Sequence, residues 1–256
     1  MTTGVELSVD GAVARLTLTS ADGENRIDGE TIAELRTLCA ALAEMPDVRV
    51  VIVTGSSDLF SLGWSAPLLA DLAAGRDVAG VPGDPFACLG ELPLPVIAAI
   101  EGDCCSAGFE LALACDLRVA APAARFAFPE TEFGLIPLAG GTQRLPRVVG
   151  RSRALAMLLL GQTVGGAAAE AWGLVNALSR GGEALAEAQR LATTIAGRGP
   201  VAERFAKEAV QQGVELPLAR ALRYELDLTV ILQTTEDRAE GVRAFAEKRT
   251  PEFRGR

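Results

Sequence analysis

The sequence predicts an α/β protein with a mostly parallel sheet, followed by a helical tail. Three observations carry this. Short apolar, β-branched runs recur at residues 48–54, 95–100 and 116–121. Stretches with helical hydrophobic spacing separate them, and that alternation is the pattern of βαβ units. From residue 151 onward the pattern is almost entirely helical, Ala/Leu-rich with Glu and Arg on the other face.

The chain opens with two alternating stretches, Val5, Leu7, Val9 and then Val13, Leu16, Leu18. Asp10-Gly11 between them predicts a hairpin. Residues 28–45 place Ile32, Leu35, Leu38, Leu42 and Met45 on one helical stripe. The run at 48–54 is a buried strand ending at Gly55, and that at 95–100 ends before Gly102. Residues 107–115 are apolar on nearly every side, which predicts a buried helix. Between them, residues 75–93 are rich in Gly, Pro and Asp and read as a long surface loop holding one short helix. Gly197, Gly199-Pro200 and Pro217 punctuate the tail.

With 256 residues, 49% apolar and 22% charged, the chain is long enough to bury a core without disulfides or metals. The 33 acids against 24 cations give a net charge of −9, which argues against nucleic-acid binding. The sequence contains no histidine. Ser-His-Asp and Cys-His catalysis and His-ligated metals are thereby excluded, and acid–base chemistry must fall on Asp, Glu, Cys, Lys, Tyr224 or water. Cys39, Cys88, Cys104, Cys105 and Cys115 form no C-x-x-C and read as buried thiols of a reducing compartment. No signal peptide and no apolar run of membrane-spanning length is visible, so a soluble cytoplasmic protein is expected. The fingerprints of Rossmann dehydrogenases, P-loop nucleotide hydrolases and α/β-hydrolases are missing.

Three glycine-bearing turns follow apolar strands: residues 58–65, 102–110 and 128–142. Ligands of α/β sheets bind just beyond strand ends. The second turn opens the buried helix, whose first N–H groups are unpaired and can stabilise a developing oxyanion. Glu110 falls in its first turn by this reading. A carboxylate there is equally explained by the helix dipole. Glu130, after a proline, reads equally as a loop acid.

The run PVIAAIEGDCCSAGFELALACDLRVAAPAARFAFPETEFGLIPLAGGTQRLPRVVG resembles the crotonase (enoyl-CoA hydratase/isomerase) superfamily, as does the ending AEGVRAFAEKRTPEFRGR. The likeness spans nearly the whole chain. It implies a spiral of ββα units forming two roughly perpendicular sheets over residues 1–195. Residues 196–256 would form a helical oligomerisation region, in a homo-trimer or a dimer of trimers. The implied substrate is an acyl-CoA thioester, with CoA part of the substrate and no metal or redox cofactor. By position, the backbone N–H groups of Trp64 and Ala107 would form the oxyanion hole. Glu110 and Glu130 match the two catalytic glutamates of hydratases. One carboxylate would activate water for attack at the β-carbon, and the other would exchange the α-carbon proton. Keeping both favours hydration of a 2-enoyl-CoA. A Δ3-Δ2 isomerase, a hydrolase or decarboxylase, and an acyl-CoA-binding scaffold are the alternatives.

The first turn departs from the family's F-x-A-G-x-D, with Leu62 for alanine and Ser65 for aspartate around Gly63 and Trp64. Ser106 stands where glycine is usual before the second donor, and Leu138 where hydratases often have glycine. Trp64 reads either as core packing or as a wall of the acyl pocket. Arg26 lies in the region matching the CoA adenosine-phosphate site, and Lys248 and Arg249 are further CoA candidates, reaching from a neighbouring subunit. Lys207 and the extra acid Glu132 are weaker candidates.

Overall fold

The computed structural model describes residues 4–56, 58–74, 76, 83–180 and 183–256. The expected hairpin is formed by β1 (Gly4–Asp10) and β2 (Val13–Thr19), paired antiparallel. Helix α1 (Gly29–Ala43) follows, capped by Asp28, whose carboxylate accepts from Thr31 N–H at 2.8 Å. It buries Ile32, Leu35 and Leu42 of the expected stripe together with Cys39, while Leu38 and Met45 are half-buried. Next come β3 (Val50–Gly55), α2 (Ala66–Ala73), α3 (Ala87–Gly90) and β4 (Val96–Ile100). Helix α3 is the short helix expected within 75–93; residues 75 and 77–82 of that loop lie outside the described residues.

The middle of the chain supplies β5 (Asp103–Cys105), α4 (Ser106–Ala114), β6 (Leu117–Ala120) and β7 (Arg125–Ala127). A 3-10 turn (Glu130–Phe133), α5 (Gly141–Val149) and α6 (Arg151–Leu160) follow. The remainder is β8 (Val164–Gly165), α7 (Gly166–Ala171), β9 (Ala177–Leu178), α8 (Ala184–Ala196), α9 (Pro200–Gly213), α10 (Leu218–Leu232) and α11 (Glu236–Glu247).

The larger sheet runs β1-β2-β3-β4-β6-β9, parallel after its first pair. The central strands are buried on both faces, which is why they read as unbroken apolar runs. Val51, Val53, Ala98 and Ile100 face the main core. Val50, Ile52, Ile97 and Ala99 face α8, whose Ala184, Ala188 and Ala192 let it lie close to the sheet. The smaller sheet, β5-β7-β8, is built from strands of two or three residues. Such strands carry no period-2 signal. The tail is therefore not wholly helical as expected: β8 and β9 interrupt it, and β9 joins the main sheet beside β6.

Two buried cations lock the frame around α4. Arg118 donates to the carbonyls of Leu174 (2.7 Å), Cys115 (2.9 Å) and Ala112 (3.3 Å), closing the α4 C-terminus. Lys207 of α9 pairs with Asp116 at 2.7 Å and donates to the Leu94 carbonyl. That removes Lys207 as a ligand candidate, since its side chain is only 9% exposed. Among the described residues no helix is long and apolar enough to cross a membrane.

Candidate active site

The turns after β3 and β4 lie side by side as short parallel strands. Phe60 and Ser61 N–H donate to the Asp103 carbonyl (2.9 and 3.1 Å), and Cys105 N–H donates to the Ser61 carbonyl at 2.9 Å. Two glycines make the approach possible. A β-carbon on Gly63 would overlap the Ser106 side chain, and one on Gly108 would overlap that of Ser61. Gly63 has φ +99, and Ser106 takes a left-handed φ of 51 despite its side chain. Buried Asn25 braces the first turn, donating from Nδ2 to the carbonyls of Leu59 (3.2 Å) and Phe60 (3.3 Å).

This packing puts the backbone N–H groups of Trp64 and Ala107 one residue beyond the Gly63–Ser106 contact. Neither N–H has an acceptor among the described residues. For Ala107 the reason is helical geometry: the second residue of α4 has no carbonyl one turn back. The Trp64 ring is buried and stacks on Phe86, with centroids 6.2 Å apart. Its Nε1 is buried without a partner among the described residues. Leu62 and Leu138 are half-buried.

Glu110 is fully buried on α4. The helix starts at Ser106, so Glu110 sits past the first turn, and the dipole account of it fails. Its Oε1 accepts from Ala139 N–H (2.7 Å) and Gly141 N–H (2.8 Å), while Oε2 has no partner among the described residues. Burial pushes its pKa up to about 7; the N–H groups of Gly141 and Ala139 oppose the rise and Glu130 adds to it. Glu130 heads the 3-10 turn, is 5% exposed, and has both carboxylate oxygens without a hydrogen-bond partner among the described residues. Burial raises its pKa as well, and the nearby Ser106 hydroxyl offsets part of the rise without meeting hydrogen-bond geometry. Burial thus makes both neighbouring carboxyls hold their protons to higher pH than free carboxyls do.

Arg26 opens into a cleft of about 1090 Å³ that also reaches Trp64 and Leu68. Its guanidinium donates to Glu24 (2.6 Å) and to the Trp64 carbonyl (3.2 Å). The other charged residues that line the cleft are all acidic: Asp22, Glu24, Asp28, Glu30 and Asp71.

Other candidates lie elsewhere. Lys248 is exposed at the end of α11. The tail after it binds Arg49, which donates to the Phe253 carbonyl at the start of β3, the end opposite the site. Arg249 is taken by Glu240 and Glu247. Glu132 is exposed beside Gly161. Among the described residues no cluster of three acids or cysteines is arranged to hold a metal. Sequence reasoning missed Ala139, Gly141 and Asn25, whose roles rest on backbone groups; the Gly140-Gly141 pair opening a helix was the available signal.

Known proteins share this architecture. The 2,3-dehydroadipyl-CoA hydratase of Escherichia coli is 38% identical over 248 residues, covering 95% of this chain and 96% of its own. The crotonyl-CoA hydratase of Syntrophomonas wolfei is 34% identical over 232 residues, covering 90% of this chain and 89% of its own. The crystal structure of an enoyl-CoA hydratase from Bacillus anthracis superposes with a TM-score of 0.92 at 33% identity, covering 99% of this chain and 100% of that one. A family profile for enoyl-CoA hydratase/isomerase matches residues 8–256. The chain has the crotonase fold and belongs to the enoyl-CoA hydratase/isomerase family.

Proposed function

We propose that this protein adds water across the double bond of a 2-enoyl-CoA thioester, giving a 3-hydroxyacyl-CoA. The observation that carries the reading is the pair of buried carboxylates, Glu110 and Glu130, with three of their four oxygens unpartnered among the described residues. Hydration needs a base for water, an acid for the α-carbon and a place for charge on the thioester oxygen. Glu110, anchored through Oε1, presents Oε2 to the water. In the productive state Glu130 carries a proton and delivers it to the α-carbon as the hydroxyl adds at the β-carbon. Glu110 then holds the water's proton and Glu130 is ionised, so the pair has exchanged states. The N–H groups of Trp64 and Ala107 receive the enolate oxygen at the positive end of α4. The reaction is redox-neutral and needs no electron carrier.

Arg26 meets the CoA phosphates at the mouth of the cleft, with Leu62, Gly63 and Leu138 lining the thioester and acyl path. Lys248 adds its charge from a neighbouring subunit. The exposed α10 stripe Leu218, Leu222, Leu226 and Val230 has a spacing of four, and Phe245 is 87% exposed. We assign these residues to contacts within a homo-trimer or a dimer of trimers.

The test is loss of the conjugated enoyl-thioester absorbance, with Glu110→Gln and Glu130→Gln alongside. Loss in the wild type and in neither variant supports the reading. The free oxygens of Glu130 also suit proton transfer between the α- and γ-carbons. A 3-enoyl-CoA converted with Glu110→Gln still active would replace hydratase by isomerase.

A further inference from the structure

One ion pair outside the two glutamates converges on both halves of the site. Arg144 of α5 pairs with Asp84, in the segment just before α3, through both guanidinium nitrogens. Arg144 Nη1 also donates to the Ala139 carbonyl at 3.1 Å. Its guanidinium lies against Gly140, where a β-carbon would overlap Nη1; that residue has φ +100. Ala139, Gly140 and Gly141 form the turn whose N–H groups, at 139 and 141, hold Glu110 Oε1. Asp84 in turn accepts from Phe86 N–H at 3.3 Å, and Phe86 is the ring stacked on Trp64.

We propose that Arg144, clasped by Asp84, is a positioning residue that sets the carboxylate of Glu110 through the Ala139–Gly141 turn. The inference rests on the two-glutamate reading of the site. Stability is a poor alternative account. The side chains of Arg144 and Asp84 are 25% and 40% exposed, and ion pairs this wet add little to folding. Their bonds end on the backbone that holds a catalytic group, where a displacement of about 1 Å lowers rate by about 100-fold. The other ionisable group facing Glu110 is Glu130, from the 3-10 turn.

The test uses the full-length protein with Arg144→Met and, as a second and milder change, Asp84→Asn. Two quantities are read: kcat and KM for enoyl-CoA hydration, and the titration of the Glu110 carboxyl carbon by NMR without substrate. We expect kcat to fall about 10- to 100-fold in Arg144→Met and less in Asp84→Asn, with KM nearly unchanged. The Glu110 pKa should rise in both, because loosened N–H groups no longer favour the anion. Asp84→Asn separates the mechanisms. Loss of a nearby negative charge acting through space alone would lower that pKa, and such a fall overturns the proposal. An unchanged titration in both variants overturns it too, whether or not kcat drops. If the wild type hydrates no enoyl thioester, the hydratase reading fails while the titration still decides the clasp.

Discussion

Gly63 and Ser106 lie back to back, close enough that a side chain on Gly63 would overlap that of Ser106. The contact joins the turn after β3 to the start of α4, and the N–H groups of Trp64 and Ala107, unpaired among the described residues, lie one residue beyond it. Gly63→Ala adds both an overlap and a left-handed strain at φ +99. We expect kcat to fall by about 100- to 1000-fold, the cost of losing one oxyanion donor. Steady-state hydration kinetics, with circular dichroism to confirm folding, check this.

Ser106 carries a left-handed φ of 51 and a hydroxyl that holds the Glu130 pKa down. Ser106→Gly and Ser106→Ala both remove the hydroxyl. Both should therefore move the Glu130 titration, and the alkaline limb of activity that its proton sets, to higher pH. Only glycine relieves the backbone. Ser106→Gly should be the more stable of the two by about 1 kcal/mol, read from urea midpoints.

The raised pKa of Glu110 makes folding depend on pH. Its ordinary value is 4.5 and its folded value about 7, so the folded state holds the proton more tightly. The native state is favoured below 4.5, and that advantage drains away as pH rises to about 7. The loss attributable to this group is about 3 kcal/mol at most. Glu110→Gln does not titrate. Urea unfolding at pH 5 and pH 8 should show a smaller loss of stability across the interval in the variant than in the wild type.

Lys207→Met would leave Asp116 buried without its partner, although the Val96 N–H still reaches that carboxylate at 2.8 Å. Breaking a buried pair costs about 3–5 kcal/mol, and this one should fall toward the low end because Asp116 keeps some exposure. Thermal unfolding should register it, with KM unmoved, because α9 is fastened to the core at this point and not to the cleft.

Where pattern and burial coincide, the sequence is readable. Residues 50–53 and 96–100 lie between two apolar layers and show it in every side chain. Glu110 and Glu130 were legible as acids after strand ends, and their resemblance to a known family gave them roles. What stayed hidden is held by backbone. The Ala139 and Gly141 donors, the parallel pairing of residues 60–61 with 103–105, and the two-residue strands leave no mark on side-chain spacing. The first-turn assignment of Glu110 failed because α4 begins at Ser106, in a left-handed conformation that serine rarely adopts.

The cleft beside Arg26 sets five carboxylates around one guanidinium, on a chain of net charge −9. A polyanionic thioester approaches such a mouth uphill. Dissolved ions change that journey, because the screening length contracts from about 30 Å at 0.01 M to about 8 Å at 0.15 M. Encounter should quicken as salt is added, the reverse of an enzyme that draws its substrate in by opposite charge. For this protein kcat/KM should climb with ionic strength while kcat stays level, which makes the surrounding electrolyte a determinant of how fast the site fills.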